Sequence, residues 1–199
     1  GLALAGLGVA LTTRAGLGTS PISSLPYVFT FLTPLTFGAA TFAVNLLFVL
    51  AQALLLGRAF PAVQYGQLGV VLLFGLFIDL GMWVGGLWVP TAYWGRMAEV
   101  LLGSVVLAAG IALQIHADLL FNPGEGLVKA LCRVTRARFA WTKLGFDVSL
   151  VLLALALSLA ALHTIRGLRE GTLVAAFAVG LSLRWLVPLL RPTRRWLFG

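Results

Sequence analysis

Apolar residues run along this chain in long unbroken stretches, and the polar residues that interrupt them cluster at a few places. Between Arg14 and Arg58 lie 43 residues without a charge. As one helix they would be about 65 Å long, twice a bilayer core. Pro21, Pro26 and Pro34 break that length. The pattern predicts a short helix over 21–32, a turn near 33–36 and a full span over 37–56. Further spans are predicted over 62–85 and 100–115. Between them, Trp83, Trp88, Pro90, Tyr93 and Trp94 read as an interfacial aromatic loop. A polar stretch around His116, Asp118 and Asn122 leads into a second short helix over 123–134. Spans over 139–162 and 171–190 follow, and then a tail carrying Arg191, Arg194 and Arg195. Residues 1–13 form an apolar helix too short to cross alone at about 1.5 Å per residue. A signal peptide is the competing reading of that start. The segment lacks a basic leading region, and the repeat described below needs it as a structural helix.

Composition narrows the class. Hydrophobic residues make up 60% of the 199 positions and charged residues 10%, where a soluble domain has roughly 45–50% and 25%. Too few polar side chains exist to coat a water-facing surface. The absence of alternation also argues against an outer-membrane barrel. The expected fold is therefore all-α: a polytopic helical membrane protein of about six transmembrane helices.

A net charge of +8 invites a nucleic-acid reading, but the basic residues sit at the ends of apolar runs, which is a topology signal. The expected environment is the lipid bilayer, with no nucleic-acid partner. With six spans, nine basic residues fall on one side: Arg58, Lys129, Arg133, Arg136, Arg138, Lys143 and the tail arginines. Four fall on the other: Arg14, Arg96, Arg166 and Arg169. The richer side faces the cytoplasm by the positive-inside rule, which places both termini there. The lone Cys132 and the distant His116 and His163 give no ligand spacing. No metal or cofactor is expected.

The chain resembles itself at a shift of 102 residues. Gly8 falls on Gly110, Ala10 on Ala112, Pro21 on Pro123 and Phe37 on Phe139. Arg14 falls on His116, Ser20 on Asn122 and Asn45 on Asp147. After a three-residue insertion the shift becomes 105, matching Gly66 with Gly171, Gly75 with Gly180 and Asp79 with Arg184. Chance matching of Leu and Ala explains part of this, and the coincident prolines and glycines less well. Two membrane repeats are predicted, over 1–98 and 99–199, forming one integral domain. Three spans per unit reverse the chain direction, so the second unit would insert upside down, as in many secondary transporters.

The run Arg14-Ala-Gly-Leu-Gly-Thr-Ser-Pro21 resembles the signature of the YczE/YyaS/YitT group of bacterial membrane proteins. Gly38, the segment Gly75-Leu-Phe-Ile-Asp79 and Gly171-Thr172 are similar as well. The second repeat departs from the pattern at Leu119-Leu-Phe-Asn-Pro123-Gly-Glu125. The resemblance implies a polytopic protein of the bacterial inner membrane and implies no particular substrate.

Ser20-Pro21 and Asn122-Pro123 each set a capping residue before a proline. Glu125 lies three residues after Asn122, the spacing of a capping box. Re-entrant short helices would direct free N–H groups and a positive dipole end at a ligand. Thr19, Ser20, Ser23 and Ser24 facing Asn122 and Glu125 are the candidate substrate site. The alternative lays both short helices flat at the interface. Arg14 is expected to pair with an anionic substrate or to snorkel, and His116 to carry a proton or simply a hydrogen bond. Asp79 and Arg184 are candidate intramembrane charges. Glycine in Gly16-Leu-Gly18 reads as a bend before the short helix.

The expected function is secondary transport of a small anion or zwitterion of unknown identity. The alternative is a non-transporting subunit that binds lipid or a partner through its basic 129–143 segment. No HExxH, nucleophile–base set or carboxylate pair points to an enzyme. A bundle this small often gains interface by forming a homodimer.

Overall fold

The computed structural model describes residues 1–85, 90–117 and 122–198, without the side chains of 116, 117 and 191–198. Among these residues every regular element is helical. The helices are α1 Leu2–Arg14, α2 Pro21–Phe29, α3 Phe37–Leu56, α4 Gln67–Gly85, α5 Tyr93–Ala117, α6 Pro123–Thr135, α7 Phe139–Leu162 and α8 Glu170–Phe198. Short 3-10 turns at Gly57–Ala59 and Ala62–Gly66 join α3 to α4. Five helices, α3, α4, α5, α7 and α8, are long and apolar enough to cross a membrane. Helix α1 is apolar but has 13 residues, short of a crossing length. The chain is a multi-pass helical membrane protein.

Most boundaries fall where proline and the apolar runs put them, including both short helices. One expectation is corrected. Helix α5 starts at Tyr93 instead of near residue 100, so Tyr93 and Trp94 belong to its first turn and stack edge-on at 5.5 Å. Trp83 lies within α4. Aromatic rings can occupy an interface from a helix end as well as from a loop. Trp88 lies outside the described residues, as do Asp118, the side chain of His116 and those of Arg191, Arg194 and Arg195.

Helix α1 packs against α5 and α4, and α5 packs against α8. Helix α3 packs on α4, α6 and α2, and α7 packs on α2 and α6. Among the described residues, helices α7 and α8 form no packed pair of this kind. The α1–α5 crossing is closed by glycine. A Cβ on Gly8 would stand 2.7 Å from the Gly103 carbonyl and closer still to the Leu107 amide. A Cβ on Gly110 would stand 2.7 Å from the Gly1 carbonyl and closer still to the Ala5 amide. Small residues let membrane helices approach this closely where apolar lipid supplies no hydrophobic drive.

The bend before α2 forms as the glycines require. Gly16 and Gly18 adopt φ of 69° and 114°, conformations that cost an L side chain strain. The bend seats on α8, where the Thr19 N–H donates to Thr172 Oγ1 at 3.3 Å. Both short helices are packed into the bundle: Ser24 and Val28 of α2 and Val128 of α6 are fully buried. Gln52 of α3 fixes the start of α6 by donating from Nε2 to the Pro123 carbonyl at 3.0 Å.

Candidate binding site

A cavity of about 330 Å³ lies where α1, α3, α4, α5, α7 and α8 surround the starts of α2 and α6. Ser20 and Ser23 line it from the first short helix, and Asn122 and Glu125 from the second. Thr41 and Asn45 line it from α3, and Lys143 and Asp147 from α7. Its apolar wall includes Phe74, Leu107, Ile111, Val179 and Leu183. Its lining repeats at the shift found in the sequence: Ser20 with Asn122, Ser23 with Glu125, Thr41 with Lys143 and Asn45 with Asp147, each 102 residues apart.

The local bonding differs from simple capping. Ser20 occupies the N-cap of α2 but its side chain caps nothing there. Its hydroxyl instead donates to Ser23 Oγ at 2.9 Å. Asn122 does cap α6, accepting the Gly124 N–H at 3.3 Å. Among the described residues Glu125 returns no bond to the Asn122 backbone, so the expected capping box is not formed. Its carboxylate belongs to the cavity wall.

Lys143 and Asp147 form an i,i+4 pair, Nζ to Oδ1 at 2.5 Å. The pair also faces the cavity, a placement the sequence did not assign to it. Asn45 is 6% exposed. Its Nδ2 donates to the Thr41 carbonyl at 2.8 Å, which fixes the amide orientation. Asn45 Oδ1 is then buried with no hydrogen-bond partner among the described residues. Such an acceptor costs roughly 1–3 kcal/mol unless a ligand or water supplies a donor.

Other candidates lie elsewhere. Thr19 shares a 2.7 Å hydrogen bond with Thr13 in the interior. Ser24 donates to the Pro21 carbonyl at 2.6 Å. Neither lines the cavity. Arg14 neither snorkels nor reaches the cavity. Its guanidinium lies 3.6 Å from Glu99 Oε1, with the two side chains 7% and 9% exposed. Glu99 Oε2 is buried without a hydrogen-bond partner among the described residues. Glu99 stands out by no local motif, because its cationic neighbour is 85 positions away. The one available signal was a carboxylate at the very edge of an apolar run.

Asp79 and Arg184 do not meet. Asp79 accepts the Gly38 N–H on Oδ1 at 2.7 Å and the Thr36 hydroxyl on Oδ2 at 2.6 Å, tying α4 to the start of α3. Arg184 lies exposed on α8. The shift that aligned them matched positions and not roles.

The sequence profile described as "Family of unknown function (DUF6198)" matches residues 1–188. The chain is also 26% identical over 189 residues to the "Uncharacterized membrane protein YczE" of Bacillus subtilis (strain 168). That alignment covers 94% of this chain and 82% of the relative. No solved structure matches the chain.

Proposed function

This chain belongs to the DUF6198 family, and on that footing we propose that it is a small secondary membrane transporter whose substrate sits between two inverted repeats. One observation carries the proposal: a single cavity takes repeat-related residues from both short helices and from α3 and α7. The packing supports the two-unit reading. Helix α1 meets α4 as α5 meets α8, and α2 meets α7 as α6 meets α3. At the α1–α5 crossing, Gly8 faces Gly103 as Gly110 faces Gly1. Exchanging the repeats at a shift of 102 converts one contact into the other. Phe74 and Val179, each near the middle of its apolar stretch, support a site at the depth where such transporters bind substrate.

The charges indicate a zwitterion in preference to a simple anion. Glu125 and Asp147 bring two carboxylates against the single ammonium of Lys143, and the two helix starts add partial positive charge. A substrate with both signs complements both. Nine basic residues against four support insertion in the bacterial inner membrane with cytoplasmic termini.

The test measures binding and then flux. Zwitterions bearing an ammonium group, with or without an attached chain, should raise the melting temperature of the purified protein. Saturation at 100 Kd adds about 2.7 kcal/mol. Asp147→Asn should remove the shift, and the stabilising compound should enter proteoliposomes carrying the wild-type protein only. If no ammonium zwitterion of either kind stabilises the protein, the proposal is wrong. Binding without flux would favour a second reading, a lipid-interacting subunit, for which the exposed Arg133, Arg136 and Arg138 beside exposed Trp141 speak.

A further inference from the structure

The two units differ in how their last two long helices pack, and the difference bears on what the cavity takes. In the first unit α3 and α4 are clasped: a Cβ on Gly75 would stand 2.7 Å from the Gly38 carbonyl, and Asp79 is bonded to Gly38 and Thr36. The counterpart pair, α7 and α8, is not packed together. Gly180 matches Gly75 at the shift of 105, and a Cβ there would meet nothing within 4 Å. Arg184 and Arg138, at the places of Asp79 and Thr36, are both exposed and carry like charges, so they cannot form the same clasp.

Both α7 and α8 line the cavity, the former with Lys143 and Asp147 and the latter with Ala176, Val179, Gly180 and Leu183. Ala176 and Gly180 are exposed as well as lining. The unpacked space between α7 and α8 is thus the apolar side route from the polar end of the cavity, and its outer faces carry Leu144, Val148, Leu173, Phe177 and Leu181, all exposed. In a membrane protein that gap leads to the acyl chains. The buried Asn45 Oδ1 requires an N–H or O–H donor, which a primary ammonium supplies and a trimethylammonium does not.

Resting on the reading of this cavity as a substrate site, we propose that its ligand is a single-chain amphiphile. Its head is a primary-ammonium zwitterion held by Asn45, Glu125 and the Lys143–Asp147 pair, and its chain leaves between α7 and α8.

Native mass spectrometry from a non-ionic maltoside detergent tests this with three probes. Lysophosphatidylethanolamine carries chain and ammonium, lysophosphatidylcholine lacks the N–H donors, and glycerophosphoethanolamine lacks the chain. The expected result is one lysophosphatidylethanolamine per protein, retained about tenfold more tightly than either other probe. Gly180→Trp, which fills the gap, should weaken that binding about tenfold with the melting temperature unchanged. Ala176→Trp serves where the first variant fails to fold.

Equal binding of the chainless probe, with neither tryptophan having an effect, would overturn the amphiphile and leave the zwitterion transporter standing. Equal binding of the choline probe would overturn the role of Asn45. Cross-linking of α7 and α8 to a second copy in membranes would assign the gap to a dimer interface and overturn the lateral exit. No Asp147-dependent binding of any probe would overturn both proposals.

Discussion

Asp79 on α4 holds the first turn of α3 through Gly38, whose N–H donates to Asp79 Oδ1 at 2.7 Å. The same carboxylate takes the Thr36 hydroxyl at 2.6 Å, and Thr36 in turn accepts the Ala39 N–H at 3.1 Å. One side chain thus satisfies a helix start and fixes a helix pair. Backbone donors at a helix N-terminus have no partner within the helix, and in lipid they have no water either.

Asp79→Ala should therefore destabilise the protein by about 1–3 kcal/mol, read as a lowered melting temperature in detergent. Arg184→Ala, on the exposed counterpart, should leave the melting temperature unchanged. A loss of equal size in both variants would contradict the assignment and revive a shared role for the two charges.

The Arg14–Glu99 pair predicts a different signature. Removing one partner of a buried ion pair strands the other, at a cost of about 3–5 kcal/mol. Arg14→Met and Glu99→Gln should each be strongly destabilising, and the double variant should recover most of the loss. A double-mutant cycle from denaturant unfolding measures the coupling. Additive losses would show that the two side chains act independently.

Glycine substitutions should separate the crossing from the open faces. Gly8→Ala and Gly110→Ala put a methyl group into the backbone of the facing helix and should each cost about 1–3 kcal/mol. Gly145→Ala, on α7 with nothing within 4 Å, should cost nothing and can gain up to about 1 kcal/mol from helix propensity. Thermal unfolding of the three variants side by side is the check.

Local sequence rules placed the elements well and the partners poorly. Proline after Ser20 and after Asn122 marks both short helices, and the glycines at 16 and 18 mark the bend, because each acts through the backbone of its own neighbourhood. The start of α5 was missed because Tyr93 and Trp94 suit an interfacial loop and an interfacial helix end equally. Glu99 was missed for a topological reason: its partner Arg14 lies on another helix, and nothing in local spacing links them. The offset of 102 carried further: Ser20 and Asn122, and Asn45 and Asp147, line one cavity, although local spacing links neither pair. The offset of 105 failed at Asp79 and Arg184: the first bonds Thr36 and Gly38 at the start of α3, and the second lies exposed on α8.

The central claim is that Ser20 and Asn122 border one ligand site. Thiol labelling in a Cys132→Ser background addresses it directly, with Ser20→Cys, Asn122→Cys and, as a control, the lipid-facing Leu54→Cys, at a position 85% exposed. The labelling rate of each is measured with a maleimide before and after saturation with lysophosphatidylethanolamine or the most stabilising chainless ammonium zwitterion. The account predicts that one ligand slows labelling at positions 20 and 122 together and leaves position 54 unchanged. Protection of only one of the two, or of neither while the ligand demonstrably binds, would contradict it.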